Sequence, residues 1–288
     1  GYKTQKAEEF LQEIYKSNLV NPQNHETLFI ILKGIPKYAG IYTRGAYKSL
    51  ANLFESGLIT QANQEQIFTI LKEVPQYARG SIWAAYDNLT NLLESGLITQ
   101  ANQEQIFIIL KEIPQYARIF TPEAYNSLTN LLKSGLITQT NQEQIFTGLK
   151  EIPQYAGIFT PEAYDSLANL LKSSLIIQDN QKQIFTTLKE IPQYAGSKTP
   201  QAFQSLINLL EALKQKQITL TENDLKTIIN MIKEQGDVST TLDIIKDLVL
   251  EFRTPEEGQG SSNTRTLSAA LLNSMQIYAP ANETQGAT

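Results

Sequence analysis

The sequence has no cysteine and only one histidine, one tryptophan and two methionines among its 288 residues. The absence of cysteine excludes disulfide bonds, thiolate nucleophiles and cysteine-ligated zinc. It is also compatible with a protein that crosses a membrane unfolded and must avoid premature crosslinks. Since His25 is the sole histidine, the chain cannot form a paired-histidine metal site, and packing alone must stabilise the fold.

Long apolar runs, a basic excess and catalytic motifs are missing as well. No run approaches the length of a bilayer-spanning helix, so we expect no membrane insertion by this segment. The formal net charge of −5 argues against a nucleic-acid partner, because phosphate binding draws on clustered lysine and arginine. No glycine-rich phosphate loop or nucleophile elbow is present, and we therefore predict no enzymatic activity, no metal site and no cofactor.

The sequence does contain one segment that repeats at a fixed interval. The segment "QEQIFTILKEVPQYARG" at 64–80 returns almost unchanged at 103–119 and 142–158, which is a period of 39 residues. Five units share this register, and each has a proline and a tyrosine at matching places. A fixed period of this size is typical of stacked supersecondary units. The sequence therefore predicts an all-α, crescent-shaped α-solenoid of helix-loop-helix repeats.

Each unit carries the signals of two helices. In the second unit, apolar residues at helical spacing follow Asn63, whose side chain we expect to cap the first turn. Pro75 lacks a backbone donor and is expected to stop or kink this helix near Glu73. The second helix, typified by "TPEAY" in the third unit, is predicted to have Thr121 as its N-cap and to end at Gly135 in a left-handed conformation.

The repeat register also divides the chain into segments, with the solenoid predicted to span 1–252. A small insertion around "LKQKQITL" is expected before a degenerate last pair of helices. Because the first residue is Gly1, we expect the chain to be part of a longer protein. The predicted segments are a capping helix at 7–20, repeats at 24–62, 63–101, 102–140, 141–179 and 180–218, the degenerate pair at 221–252, a linker at 253–263, a C-terminal helix at 264–279 and a loose tail at 280–288.

The units differ mainly in the loop between their two helices. It reads "AGIYTRGAY" at 39–47, "ARGSIWAAY" at 78–86 and "ARIFTPEAY" at 117–125. Stacked units would bring these loops into a row along one edge, which we call the loop ridge. Aromatic and arginine side chains commonly anchor protein interfaces, so the loop ridge is the candidate partner-binding surface. Its candidate residues are Lys37, Tyr42, Arg44, Arg79, Trp83, Arg118 and Lys198.

Packing offers another explanation for the aromatic residues of the loop ridge. Phe120 precedes the predicted cap and could lie against Tyr125 as a hydrophobic staple, and Phe159 could do the same in the next unit. Trp83 is open to either interpretation. The arginines are harder to explain by packing. Arg79 and Arg118 stand where other units have glycine, so an arginine is not needed to close the turn.

The unit "NQEQIFTILKEIPQYAGIFTPEAYDSLANLLKSGLITQ", which combines the repeat's wording, resembles the N-terminal repeat domain of a rickettsial surface cell antigen. The resemblance covers residues 1–279 and rests on the repeat style, the Ile-, Lys-, Asn- and Gln-rich composition and the absent cysteines. Members of that family are autotransporters displayed on the bacterial surface. The resemblance implies a crescent of helical repeats that imitates formin and promotes nucleation and elongation of actin filaments in the host cytoplasm.

The implied partners are actin, another region of the same parent chain, or both. The proline-rich segments that accompany such domains are not present in this sequence, and no actin-contacting residue can be matched position by position. Two alternatives stay open. One is a generic protein- or peptide-binding solenoid, such as an adhesin spacer or adaptor, with no role in actin assembly. The other is an RNA-binding helical repeat, which the acidic charge disfavours.

Overall fold

The computed structural model describes residues 25–173, 175–176, 184, 188, 190–216, 218, 222–235 and 237–251. All regular structure in these ranges is helical, and no strand occurs in them. The helices with complete bounds are α1 (His25–Ala39), α2 (Thr43–Glu55), α3 (Gln64–Ala78), α4 (Ile82–Glu94), α5 (Gln103–Ala117), α6 (Thr121–Lys133), α7 (Gln142–Ala156), α8 (Thr160–Lys172), α9 (Thr199–Gln215), α10 (Glu222–Gln235) and α11 (Val238–Glu251).

The helices form two layers. The first helices of successive units contact one another, α1 with α3, α3 with α5 and α5 with α7. The second helices do the same from α2 through α4, α6, α8 and α9 to α11, and the two helices of a unit also contact each other. Because each unit packs mainly on its neighbours, the predicted all-α solenoid is confirmed. The crescent shape stays a prediction.

The core lies between the two layers and continues from unit to unit. In the second unit Ile67, Leu71 and Val74 of α3 and Leu89 of α4 are fully buried, as the helical spacing predicted. Phe54 of the first unit meets Phe68 of the second edge to face, with ring centroids 5.6 Å apart. Burial of this apolar surface, at about 25 cal/mol per Å², is what holds successive units together.

The repeated prolines lie inside the first helices, so Pro75 does not stop α3 near Glu73, and of the predicted stop or kink only the kink stays a prediction. The helix continues to Ala78 without interruption. A proline at this position removes the amide that would bond the carbonyl of Leu71, four residues earlier. The hydroxyl of Tyr86, on α4, lies 3.4 Å from that carbonyl oxygen and donates to it. The second helix thus supplies the donor that the proline lacks.

The same replacement recurs in four successive units. The tyrosine hydroxyls of the other three donate to the carbonyls four residues before their prolines: Tyr47 to Leu32 at 3.0 Å, Tyr125 to Leu110 at 3.2 Å and Tyr164 to Leu149 at 3.4 Å. A buried carbonyl without a partner costs about 1–3 kcal/mol, which the tyrosine offsets. The fifth unit has Phe203 at this place and no hydroxyl to donate.

The repeated asparagines hold the turn between units and do not cap the helix, contrary to the prediction for Asn63. Its Oδ1 accepts a hydrogen bond from the Thr60 amide at 2.7 Å, and its Nδ2 donates to the Leu58 carbonyl at 3.0 Å. Asn102 and Asn141 make the equivalent pairs of bonds. The side chain therefore crosslinks the backbone of the preceding turn, and the helix amides are left to other acceptors.

The start of the second helix also differs from the prediction, whereas its end agrees. Thr121 is the first residue of α6 and not its N-cap, because the helix follows directly on a short 3-10 turn. The Thr121 hydroxyl donates to the carbonyl of Arg118 in that turn. Gly135 follows the helix at φ +69°, the left-handed conformation that was predicted and that glycine adopts most easily.

The last pair of helices keeps the period of the others. The second helices begin at Thr160, Thr199 and Val238, which are 39 residues apart each time, so the expected insertion before the pair was wrong. Instead α9 is 17 residues long where α8 has 13, and it takes up part of the intervening turn. The predictions for 7–20, 253–263, 264–279 and 280–288 lie outside the described residues.

Candidate functional site

In each of the first five units, one short 3-10 turn joins the two helices. These five turns form the loop ridge. Each turn contacts the next, so the ridge is continuous from the first unit to the fifth. The backbone after each first helix swings through a residue at positive φ and enters the second helix directly. The turns are Gly40–Tyr42, Arg79–Ser81, Arg118–Phe120, Gly157–Phe159 and Gly196–Lys198.

The structure places all the candidate residues of the loop ridge on the surface. They are Lys37, Tyr42, Arg44, Arg79, Trp83, Arg118 and Lys198. Two of them have partners that involve charge. The Lys37 amine lies 4.8 Å from the centre of the Tyr38 ring, and Lys198 pairs with Asp237 at 3.2 Å. Asp237 lies directly before α11, at the position of the sixth unit that matches Lys198. An ion pair therefore links the last turn of the ridge to the sixth unit.

Exposed isoleucines add an apolar component that the sequence analysis missed. Ile41 keeps 89% of its surface exposed, Ile119 50% and Ile158 44%. Each lies in the middle of its 3-10 turn, where a short turn gives a side chain no core to enter. The turn sequences "GIY", "RIF" and "GIF" contain these isoleucines, but the sequence analysis considered the residues beside them instead. Exposed apolar side chains grouped along one edge are typical of interaction sites.

The aromatic residues of the ridge are only partly used in packing. Phe120 and Phe159 remain 37% and 39% exposed, and the hydrophobic staple stays a prediction for both. Trp83 packs beside Gly45, where an added Cβ would lie 3.6 Å from its own, yet it stays 43% exposed. These side chains therefore keep part of their aromatic surface exposed, and Trp83 also lies beside Gly45 of α2.

Arg79 and Arg118 have a backbone conformation that favours glycine. Their φ, ψ angles are 49°, −116° and 55°, −119°, and Gly157 has nearly the same angles, 58° and −121°. A positive φ with this ψ is the mirror image of extended backbone and costs a residue with a Cβ about 1–3 kcal/mol. The sequence showed the exchange of glycine for arginine but not its cost. Such strain concentrates at functional sites.

A groove between the second and third turns brings both arginines together with apolar side chains. It encloses about 620 Å³ and is lined by residues that include Tyr38, Tyr77, Arg79, Arg118, Phe120 and Ile158. None of its lining residues is acidic. The groove therefore combines positive charge with aromatic and aliphatic walls, in a chain whose acidic residues outnumber its basic ones by 29 to 24.

Two further kinds of site were sought in the part of the chain that the structure describes. No group of three or more His, Cys, Asp or Glu side chains there is placed to hold a metal ion. No helix in the same ranges is both long and apolar enough to cross a bilayer. The loop ridge and its groove are the surface features that call for a functional explanation.

Comparison of the chain with protein-family models, with curated proteins and with solved structures finds no match in any of the three. The comparisons therefore neither support nor oppose the resemblance to the rickettsial surface cell antigens.

Proposed function

We propose that this chain is a protein-binding helical-repeat scaffold and that the loop ridge is the surface that contacts the partner. The observation that carries the proposal is the continuous row of 3-10 turns, the first four of which bear exposed isoleucine, aromatic or arginine side chains. Core positions of the helices are filled and buried in every unit, so the helices build the scaffold. The turns vary between units and keep their large side chains in solvent.

The composition of the ridge is suited to a protein partner. Aromatic and arginine side chains are enriched at the energetic centres of interfaces, where they bury large areas and make directional hydrogen bonds. The aromatic residues of the ridge include Tyr42, Trp83 and Phe120, which are exposed. Its exposed arginines include Arg79 and Arg118. Their spacing along stacked turns gives an extended contact surface, which is how solenoids bind proteins.

Actin is the partner that the resemblance favours. The repeat resembles that of the rickettsial surface cell antigens, and on that ground the chain would be displayed on a bacterial surface and would promote formin-like nucleation and elongation of host filaments. Another region of the same parent chain is a further partner implied by the same resemblance. A generic adaptor or spacer without an actin role is the alternative.

Filament co-sedimentation and pyrene-actin assembly test the actin proposal. The chain should pellet with actin filaments in a saturable manner, and it should change the assembly rate alone or together with the rest of its parent chain. A chain lacking the complete third unit, 102–140, which is expected to fold with a shortened ridge, should pellet with filaments less strongly. Absence of pelleting, together with no effect of removing the chain from its parent, would overturn the actin role and leave the spacer or adaptor alternative.

A further inference from the structure

We propose that the groove flanked by Arg79 and Arg118 binds an acidic peptide segment whose apolar side chains enter between the two arginines. The proposal rests on the protein-binding role of the loop ridge and names the kind of partner segment that the ridge takes. It concerns the second and third turns, where the groove lies. It does not require that the partner be actin.

The charges of the groove determine the sign of the ligand. Arg79 and Arg118 both line it, both are exposed, and no carboxylate lies among the lining residues. Neither arginine side chain makes a hydrogen bond or ion pair with the part of the chain that the structure describes. A guanidinium group presents several donors in a plane and binds carboxylates through two parallel bonds. Two unpaired guanidinium groups at one groove therefore favour two or more acidic side chains.

The walls of the groove determine the rest of the ligand. Tyr38, Phe120 and Ile158 contribute aromatic and aliphatic surface, and Phe120 and Ile158 remain exposed. The volume of about 620 Å³ is large enough for several side chains, and the groove is partly open to solvent. A purely acidic segment would leave these walls in water. Acidic residues interspersed with leucine, isoleucine or phenylalanine would cover them.

The backbone strain at the two arginines supports binding over folding as their role. Glycine closes the same turn in the first, fourth and fifth units, at φ +55°, +58° and +53°. An arginine at this position costs stability that glycine would not, and its side chain returns no bond to the described fold. An arginine that strains the backbone, and whose side chain forms no hydrogen bond or ion pair with the described residues, is best explained by a contact made with another molecule.

A matched pair of peptides tests the charge requirement. We would label with fluorescein a short peptide that alternates glutamate with leucine, and a twin that has glutamine in place of every glutamate. Fluorescence polarisation with the whole chain should show binding of the acidic peptide, with at least about tenfold lower affinity for the twin, because bonds to charged groups are lost. Added NaCl should weaken the acidic peptide only.

Substitutions to glycine test the site. Arg79→Gly/Arg118→Gly should reduce affinity for the acidic peptide at least about tenfold while the melting temperature stays equal or rises. Lys72→Gln/Lys111→Gln, which removes two exposed charges from the first helices, is the matched control and should leave affinity unchanged. Equal binding of the two peptides, retained affinity in the glycine variant, or an equal loss in the control would overturn the proposal.

Two more arms separate this proposal from others. A short oligouridylate should bind less tightly than the acidic peptide; tighter binding of the RNA would overturn a peptide ligand in favour of a phosphate backbone. Actin co-sedimentation of the glycine variant separates the two proposals. If the peptide binds and actin does not, the actin role fails and the groove stands. If actin binds both the wild type and the glycine variant while the peptide does not, the groove proposal fails and the actin role stands.

Discussion

The third and fifth units build the same turn with different side chains. In the third unit the turn passes through Arg118 at φ +55° and ends in the exposed Phe120. In the fifth unit it passes through Gly196 at φ +53° and ends in Lys198, which pairs with Asp237 of the sixth unit. The backbone is nearly identical, so the fold does not require the arginine or the phenylalanine.

The core of the two units differs in a second way. Tyr125 in the third unit donates its hydroxyl to the carbonyl that Pro114 leaves free, whereas the fifth unit has Phe203. The third unit thus has a core hydrogen bond that Phe203 cannot make in the fifth, and it has the more strained turn. This contrast teaches that units of one repeat can differ both in the core and in the surface turn while they keep the same backbone.

Removing part of the third unit should have the largest effect. Deletion of 102–121 removes α5 and its turn, and it leaves α6 without a first-layer partner, so we expect loss of cooperative folding. Deletion of 102–140 removes a complete unit, and the second and fourth units can then meet through equivalent surfaces. Circular dichroism melts would show one cooperative transition for the second deletion only. Identical melts would mean that the unit boundaries are wrong.

Alkaline pH should have the second-largest effect. It should lower the stability of the units in which a tyrosine hydroxyl bonds the carbonyl that the proline leaves free. Burial raises the pKa of Tyr86, Tyr125 and Tyr164 above the ordinary value of 10.0. The unfolded chain therefore ionises first, and stability is complete below that value and lost as pH rises beyond it. The loss should be about 1.4 kcal/mol for each such tyrosine per pH unit. Urea unfolding below and above pH 10 measures this loss of stability. The Tyr125→Phe variant should lose less stability over the same pH range than the wild type.

Tyr125→Phe itself converts the third unit toward the fifth. The carbonyl of Leu110 then loses its donor, and we expect the free energy of unfolding to fall by about 1–3 kcal/mol at neutral pH. Phe203→Tyr is the reverse exchange and should raise it by a smaller amount. Urea unfolding curves with unchanged slope would report both values. An unchanged midpoint for Tyr125→Phe would show that the hydroxyl bond contributes nothing.

Exchanges at the turn should have a smaller effect of opposite sign. Arg118→Gly removes a Cβ from a positive φ, and Gly157→Arg introduces one at the matching place of the fourth unit. After allowing for the greater freedom of glycine in the unfolded chain, we expect a gain of about 1 kcal/mol for the first and a similar loss for the second. Thermal and urea unfolding decide the sign. Destabilisation by Arg118→Gly would give the arginine a structural role.

The smallest change in stability is expected at the end of the ridge where Lys198 pairs with Asp237. Lys198 and Asp237 form an ion pair that stays largely in water, with 64% of the lysine side chain exposed. Lys198→Ala should therefore cost less than about 0.5 kcal/mol, and addition of salt should abolish the difference. A loss as large as that of Tyr125→Phe would show that the last pair of helices depends on this contact.

The sequence predicted the helix pairs, their period and the glycine at the helix end, because these follow from local patterns repeated five times. It failed where the hydrogen-bond partner lies in another helix or in the turn that precedes the helix. Pro75 was taken to end its helix since the donor that replaces its amide, the hydroxyl of Tyr86, belongs to another helix. Asn63 was assigned to the wrong side of the turn because its side chain bonds backward, to Thr60 and Leu58.

For the candidate site, the residue types were predictable and the geometry was not. Comparison of the loops selected Arg79 and Arg118, and the structure adds that both are strained and share one groove. The strain depends on ψ as well as φ, which no residue pattern specifies. Ile41 and its equivalents were missed because isoleucine suggests a core position until the short turn leaves it outside.

The central claim is that the helices carry the fold and the loop ridge carries the binding. It is tested most directly by measuring actin co-sedimentation and melting temperature together in Arg79→Glu/Arg118→Glu/Lys198→Glu. The matched control is Lys72→Glu/Lys111→Glu/Lys150→Glu, which reverses three exposed charges on the first helices. The account predicts lost binding at a nearly unchanged melting temperature for the ridge variant alone. Retained binding by the ridge variant, or equal loss in both, would contradict it.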